Sequence, residues 1–149
     1  MVRSVPTEQE DAGASLTCLG VAYPWQLDHM GHLNVQFYTV FFDQATWALF
    51  AEIGLGAAEF RATGRGMAAL SQHTEYRHEV FAGDVIEIRS RLLAVSDKTL
   101  RFLHRMRRRP DGELVATSEL VAAHLDRAAH RAVPFPDATR ASLLARLRQ

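Results

Sequence analysis

Residues 28–53 read DHMGHLNVQFYTVFFDQATWALFAEI, a short polar run with a carboxylate, a glycine, histidines and an amide, followed at once by a long apolar stretch. Within that stretch Phe37, Val40, Phe41, Ala45, Ala48, Leu49 and Ile53 recur at helical spacing, and Gly54 and Gly56 supply a stop. The spacing predicts one helix beginning at Leu33. Tyr38, Phe42, Trp47 and Phe50 fall on its other turns, so the helix reads as apolar on nearly every side and is expected to be enclosed. Its start offers unpaired backbone N–H groups and the positive end of the helix dipole, which suits a developing oxyanion. A carboxylate a few residues upstream could attack, or activate water, beside it.

On either side of this stretch the chain reads mainly as strands. A short apolar run at residues 16–23, bounded by Pro24, fits a first strand, and the loop to His32 follows it. After a Gly-bounded connection at 59–66, strands are expected over 67–81, 85–95, 99–108 and 114–126. Ala82-Gly83-Asp84, Ser96-Asp97-Lys98 and Pro110-Asp111-Gly112 are the turns between them. Ile86, Ile88 and Leu92 alternate with Glu87, Arg89 and Arg91, and Leu100, Phe102 and Met106 alternate with Arg101, Arg105 and Arg107, so each strand buries one face. A terminal helix is expected over 137–147, with Asp137 near its start. The layout is α+β: an antiparallel meander of five to six strands curling around one long helix. We divide it into a loose arm at 1–14, a domain at 15–135 and a C-terminal helix within 136–149 packed on or beside that domain. Open sheet edges of this length invite a second copy, so a homodimer or homotetramer is expected.

A chain of 149 residues, 48% hydrophobic, is long enough for one core burying roughly 70% of the surface of the unfolded chain. Its 17 basic and 17 acidic side chains balance, which argues against general nucleic-acid binding. Lys98 is the only lysine, and the arginine run Arg105, Arg107, Arg108 and Arg109, joined by Arg101, reads either as a phosphate grip or as a solvated hairpin end. Cys18 stands alone, so no intrachain disulfide forms, and a cytoplasmic setting is expected. No apolar run approaches the ~18 residues of a membrane span, and no membrane partner is expected. The spacing of His29, His32, His73 and His78 lacks a zinc framework, so no metal is expected.

The pattern Asp28-x-x-Gly31-His32-x-Asn34 with Tyr38 resembles the signature of hotdog-fold acyl-CoA thioesterases, specifically the 4-hydroxybenzoyl-CoA thioesterase-like group. The run from Tyr76 to the Gly83-Asp84 turn resembles that group's second-strand segment, and residues 115–126 its closing strand, so the likeness spans about residues 16–135. Residues 97–105 and the closing strand are also similar to betainyl-CoA thioesterases. One departure stands out: many relatives carry two asparagines after Gly-His-x, whereas here Val35 follows Asn34.

The resemblance implies a hotdog fold and hydrolysis of an acyl-CoA, with coenzyme A as part of the substrate and no separate cofactor. It implies Asp28 as nucleophile or as general base on water; the plainer role for Asp28 is a helix cap. Gly31 permits close backbone approach, and amides from Leu33 to Val35 could face the carbonyl oxygen. His32 and Asn34 either hold the water and orient Asp28 or act as caps. Tyr38 reaches an acyl pocket or is core. Trp25, Phe37 and Trp47 are candidates for lining an acyl or quaternary-ammonium pocket. His73 and Glu75 share one strand face, which relatives turn toward the site from the partner subunit. Two other readings stay open: a hotdog module that binds acyl thioesters or a partner without turnover, and a hydroxyacyl-thioester dehydratase.

Overall fold

Alternation builds the sheet. Ile86, Ile88 and Ser90 on one strand and Phe102, His104 and Met106 on the next are buried, and the residues between them put Glu87, Arg89, Arg101 and Arg105 on the other face. The computed structural model describes residues 11–149. Its elements in chain order are β1 (Ser15–Val21), α1 (Val35–Glu52), α2 (Ala57–Thr63), β2 (Arg65–Tyr76), β3 (Val85–Val95), β4 (Thr99–Arg109), β5 (Glu113–Asp126), β6 (Arg131–Ala132) and α3 (Asp137–Arg146). The strands form one curved antiparallel sheet in the order β1-β3-β4-β5-β2, with β6 pairing the end of β5, and α1 lies in its concavity. This is the hotdog arrangement. Every long pairing carries a register shift, at Leu16/Cys18, Ala69/Ser71, Leu92/Ala94 and Met106/Arg107, and bulges of this kind add the local twist that curls a sheet.

Several boundaries differ from the sequence expectation, each for a local reason. The Asn34 side chain accepts from the Gln36 N–H at 3.1 Å, so Asn34 is the N-cap and α1 begins at Val35 rather than Leu33. The strand expected to reach Phe81 ends at Tyr76. Beyond it the Arg77 N–H bonds Val115 O, and Val80 turns fully into the core. The connection at 59–66 contains α2, which buries Phe60, and β6 had no sequence signal because it is two residues long. In α3 Asp137 occupies the first turn without a capping bond, Pro136 being the N-cap, and Leu143 is fully buried. Of the expected loose arm, residues 1–10 lie outside the described residues, and Asp11 is tied to β4 by Arg107 Nε at 3.0 Å.

Enclosure of α1 is only partial, which corrects the reading from composition. Tyr38, Phe41, Phe42, Ala45, Leu49 and Phe50 are buried, while Val35, Val40 and Trp47 are about half exposed. The helix packs on β1 and β3, so the sheet covers one flank and leaves the flank toward β2 open. At β1 the approach is close: a Cβ on Gly20 would sit 2.9 Å from Phe41 Cε1. Each large apolar side chain buried here contributes about 1.5–3 kcal/mol.

One polar chain crosses this core. Thr46 Oγ1 lies 2.8 Å from His104 Nε2, His104 Nδ1 lies 2.5 Å from Ser90 Oγ, and Ser90 Oγ lies 2.6 Å from Thr17 Oγ1. The Thr46 hydroxyl also reaches Phe42 O at 3.0 Å, and that of Thr17 reaches Ile88 O at 3.1 Å. His104 is fully buried, with Phe42 stacked on its ring and Phe102 edge-on. Burial pushes its pKa down to about 3, so it is a neutral imidazole holding α1 to the sheet.

Candidate functional site

The loop before α1 is a closed turn. Leu27 and Leu33 form a bridge, the Asp28 N–H donates to His32 O at 3.0 Å, and the Gly31 N–H donates to Asp28 O at 3.0 Å. Gly31 takes φ +84°, a conformation L side chains rarely adopt, and a Cβ there would point into open space. Asp28 Oδ1 accepts from the Met30 N–H at 2.8 Å, so one carboxylate oxygen orders the turn. The capping role expected as the plainer alternative therefore falls to Asn34 and not to Asp28.

Oxyanion donors are fewer than the sequence suggested. The Leu33 N–H is engaged by Val80 O at 2.7 Å and the Asn34 N–H by Gln26 O at 3.0 Å. This removes Leu33 from the set of candidate donors, because its amide points into the core to anchor the 77–81 segment. The Val35 N–H, at the first turn of α1, has no such acceptor among the described residues.

A cleft of about 210 Å³ opens at this helix start, lined by His32, Leu33, Val35 and Tyr38 on one side and by Tyr76, Arg77, His78 and Glu79 on the other. His32 is half-buried, with Nε2 3.9 Å from Glu79 Oε1. Arg77 is drawn to Glu75 at 3.1 Å, and His78 to Glu113 at 2.6 Å. Tyr38 and Tyr76 meet edge to face, with ring centroids 5.1 Å apart. Burial, then Tyr76 and Glu79 beside it, push the Tyr38 hydroxyl up to about 12, so it stays protonated and donates to His78 O at 3.4 Å.

The remaining sequence candidates are placed elsewhere. Trp25 is 71% exposed, edge-on to Phe37, and does not line the cleft. His73 and Glu75 do share a face, 3.8 Å apart, but it is the convex one: their partners across the ladder are Glu119 and Thr117. The alternate residues Gln72, Thr74 and Tyr76 face α1, since Gln72 and Thr74 bond the buried Ser118 and Tyr76 packs on Tyr38. The sequence reading gave Tyr76 and Glu79 no role. The two-residue alternation could have found Tyr76, whereas Glu79 sits beyond the strand end where no periodicity applies. The arginine run is tied up by acids: Arg101 by Glu119, Arg108 by Asp111 and Arg109 by Glu87. Among the described residues no group of three His, Cys, Asp or Glu could hold a metal ion, and no helix is long and apolar enough to cross a membrane.

Val35, with its helix-start amide, lines the cleft, whereas Asp28 does not and meets the cleft wall only through the backbone bond to His32. Such an amide fits stabilisation of the oxyanion that results from attack on a carbonyl. Comparison with known proteins bears on the reaction. The family model described as the thioesterase-like superfamily matches residues 23–143. A betainyl-CoA thioesterase of Pseudomonas aeruginosa is 35% identical over 112 residues, 75% of this chain and 70% of its own. An L-carnitine dehydrogenase/betainyl-CoA thioesterase of Agrobacterium fabrum is 38% identical over 112 residues, although the chain spans only 23% of that longer protein. Among solved structures, a Staphylococcus aureus protein in complex with CoA superposes with a TM-score of 0.83 over 91% of this chain and 85% of its own, at 20% identity.

Proposed function

The chain belongs to the thioesterase-like superfamily and hydrolyses acyl-CoA thioesters, and from that premise we propose that the reaction takes place in the cleft at the start of α1. Asp28 supplies the attacking oxygen, either its own, forming a mixed anhydride that water then cleaves to the free acid and Asp28, or that of a water it deprotonates. The Val35 N–H, aided by the helix dipole, receives the negative charge of the tetrahedral intermediate. Coenzyme A leaves as a thiolate, which needs little protonation, so no strong general acid is required. His32, directly across the turn from Asp28, orients the water, and Asn34 acts by fixing where the helix begins.

The observation that supports this assignment is the closed turn in which the Asp28 N–H meets His32 O and Leu27 bridges Leu33, with His32, Leu33 and Val35 all in the cleft wall. Betainyl-CoA heads the list of substrates, given the relatives' activity. A second copy pairing along the edge strand β2 would cover the open flank of α1, and we assign the protein as a homodimer on that ground. An acyl-CoA substrate supports a cytoplasmic setting. The test is Asp28→Asn with free-thiol release followed across an acyl-CoA panel. We expect kcat to fall ~100-fold or more with an unchanged circular dichroism spectrum. Hydrolysis at the wild-type rate would overturn the role given to Asp28.

A further inference from the structure

A groove runs between α1 and the inward face of β2, because the helix is packed toward β1 and β3 and leaves this flank of the sheet uncovered. The groove is interrupted. At the helix start lies the cleft of about 210 Å³ bounded by Tyr38 and Tyr76. Further along the same two elements lies a second cavity of about 150 Å³ whose walls include Phe42, Phe50, Met67, Gln72, Phe102 and Leu120. Tyr38 and Phe42 are one helical turn apart on one face, and Tyr76 and Gln72 are four residues apart on the inward strand face, so each wall of the first cavity continues directly into a wall of the second. The edge-to-face Tyr38–Tyr76 contact stands at the junction.

We propose that Tyr76, propped against Tyr38, is the partition that divides an acyl-binding groove into two chambers and thereby limits the size of acyl group the enzyme hydrolyses. This deepens the thioesterase reading and rests on it. Tyr38 is core, with 4% of its surface exposed, whereas Tyr76 is 48% exposed and can be trimmed without emptying the interior. The second chamber is walled mainly by hydrocarbon, and an apolar cavity of about this volume accommodates a benzene-sized group. Its occupant, once the partition is removed, is the distal apolar part of a larger acyl chain. Acyl groups that end before Tyr76 fill the first chamber alone.

The experiment compares kcat/KM for a short acyl-CoA that the unaltered protein hydrolyses with that for its phenyl-bearing homologue. The proteins are the unaltered chain, Tyr76→Ala, Tyr76→Phe and the double variant Tyr76→Ala with Ala69→Phe, Ala69 being a residue of the second chamber's wall. In Tyr76→Ala the phenyl-to-short ratio is expected to rise about 10-fold or more. In Tyr76→Phe, which keeps the ring contact, the ratio stays within about 3-fold of wild type, and in the double variant the gain is lost because the chamber is refilled. An unchanged ratio in Tyr76→Ala overturns the proposal. So does loss of turnover on both substrates with a native circular dichroism spectrum, since Tyr76 would then act in the chemistry itself. Should the alanine variant fold poorly, Tyr76→Leu is read by the same ratio. Absence of thiol release by the unaltered protein from every CoA thioester is a different failure, that of the thioesterase reading.

Discussion

Acidifying this protein should destabilise it through one side chain, His104. Its imidazole is fully buried between Phe42 and Phe102 and bonded to Ser90 and Thr46, and burial holds its pKa at about 3 against an ordinary value of 6.5. Because the folded pKa lies below the unfolded one, the unfolded chain takes up the proton first as pH falls. The stabilisation is therefore complete above pH ~6.5 and is lost progressively down to pH ~3. Between pH 7 and pH 5 the unfolded histidine becomes almost fully protonated and the folded one does not, which removes about 2 kcal/mol; the full span to pH 3 removes about 4 kcal/mol. Urea denaturation at pH 7, 6 and 5 measures this, with His104→Gln as the comparison. Glutamine is smaller and costs stability at every pH, but it does not titrate, so its stability should fall by about 2 kcal/mol less than wild type over that interval. Parallel pH dependences for the two proteins would refute the argument, for they would mean that His104 takes its proton as readily in the fold as out of it.

Replacing Asn34 by alanine removes the bond to the Gln36 N–H and should cost about 1 kcal/mol, seen as a lower midpoint in thermal melting. The same change should also lower kcat, because the Val35 amide sits in the turn that Asn34 starts. Leu70, 62% exposed on the edge strand β2, lies where the second copy is proposed to pair. Leu70→Asp should shift the mass found by sedimentation from dimer to monomer, and an unaltered dimer would move the interface elsewhere. Thr46→Val deletes the hydroxyl that bonds both His104 and Phe42 O, and should cost about 1–3 kcal/mol in denaturant unfolding, since a buried ring nitrogen is left without its partner.

Residue pattern alone located much of this protein. The period of Phe37, Phe41, Ala45 and Leu49 announced the helix, the alternation on either side of Ile88 and Phe102 announced strands with one buried face, and Asp28-x-x-Gly31-His32 marked the junction where the loop closes. Such signals are local: they reflect which side chains a helix or strand projects the same way, and turn chemistry needs only neighbouring residues. What the sequence did not reveal depends on partners far along the chain. The Leu33 amide is claimed by Val80, 47 residues away, so one expected oxyanion donor is lost and Val35 is left. His73 and Glu75 lie on one face as alternation required, but only the pairing of β2 with β5 decided that this face is convex and that Tyr76 looks inward. Composition likewise said that α1 is apolar nearly all round, and only the way the sheet curls, covering the β1 and β3 flank and not that of β2, decided where a groove remains for a substrate. Periodicity assigns a residue to a face; the order in which strands pair determines what that face meets.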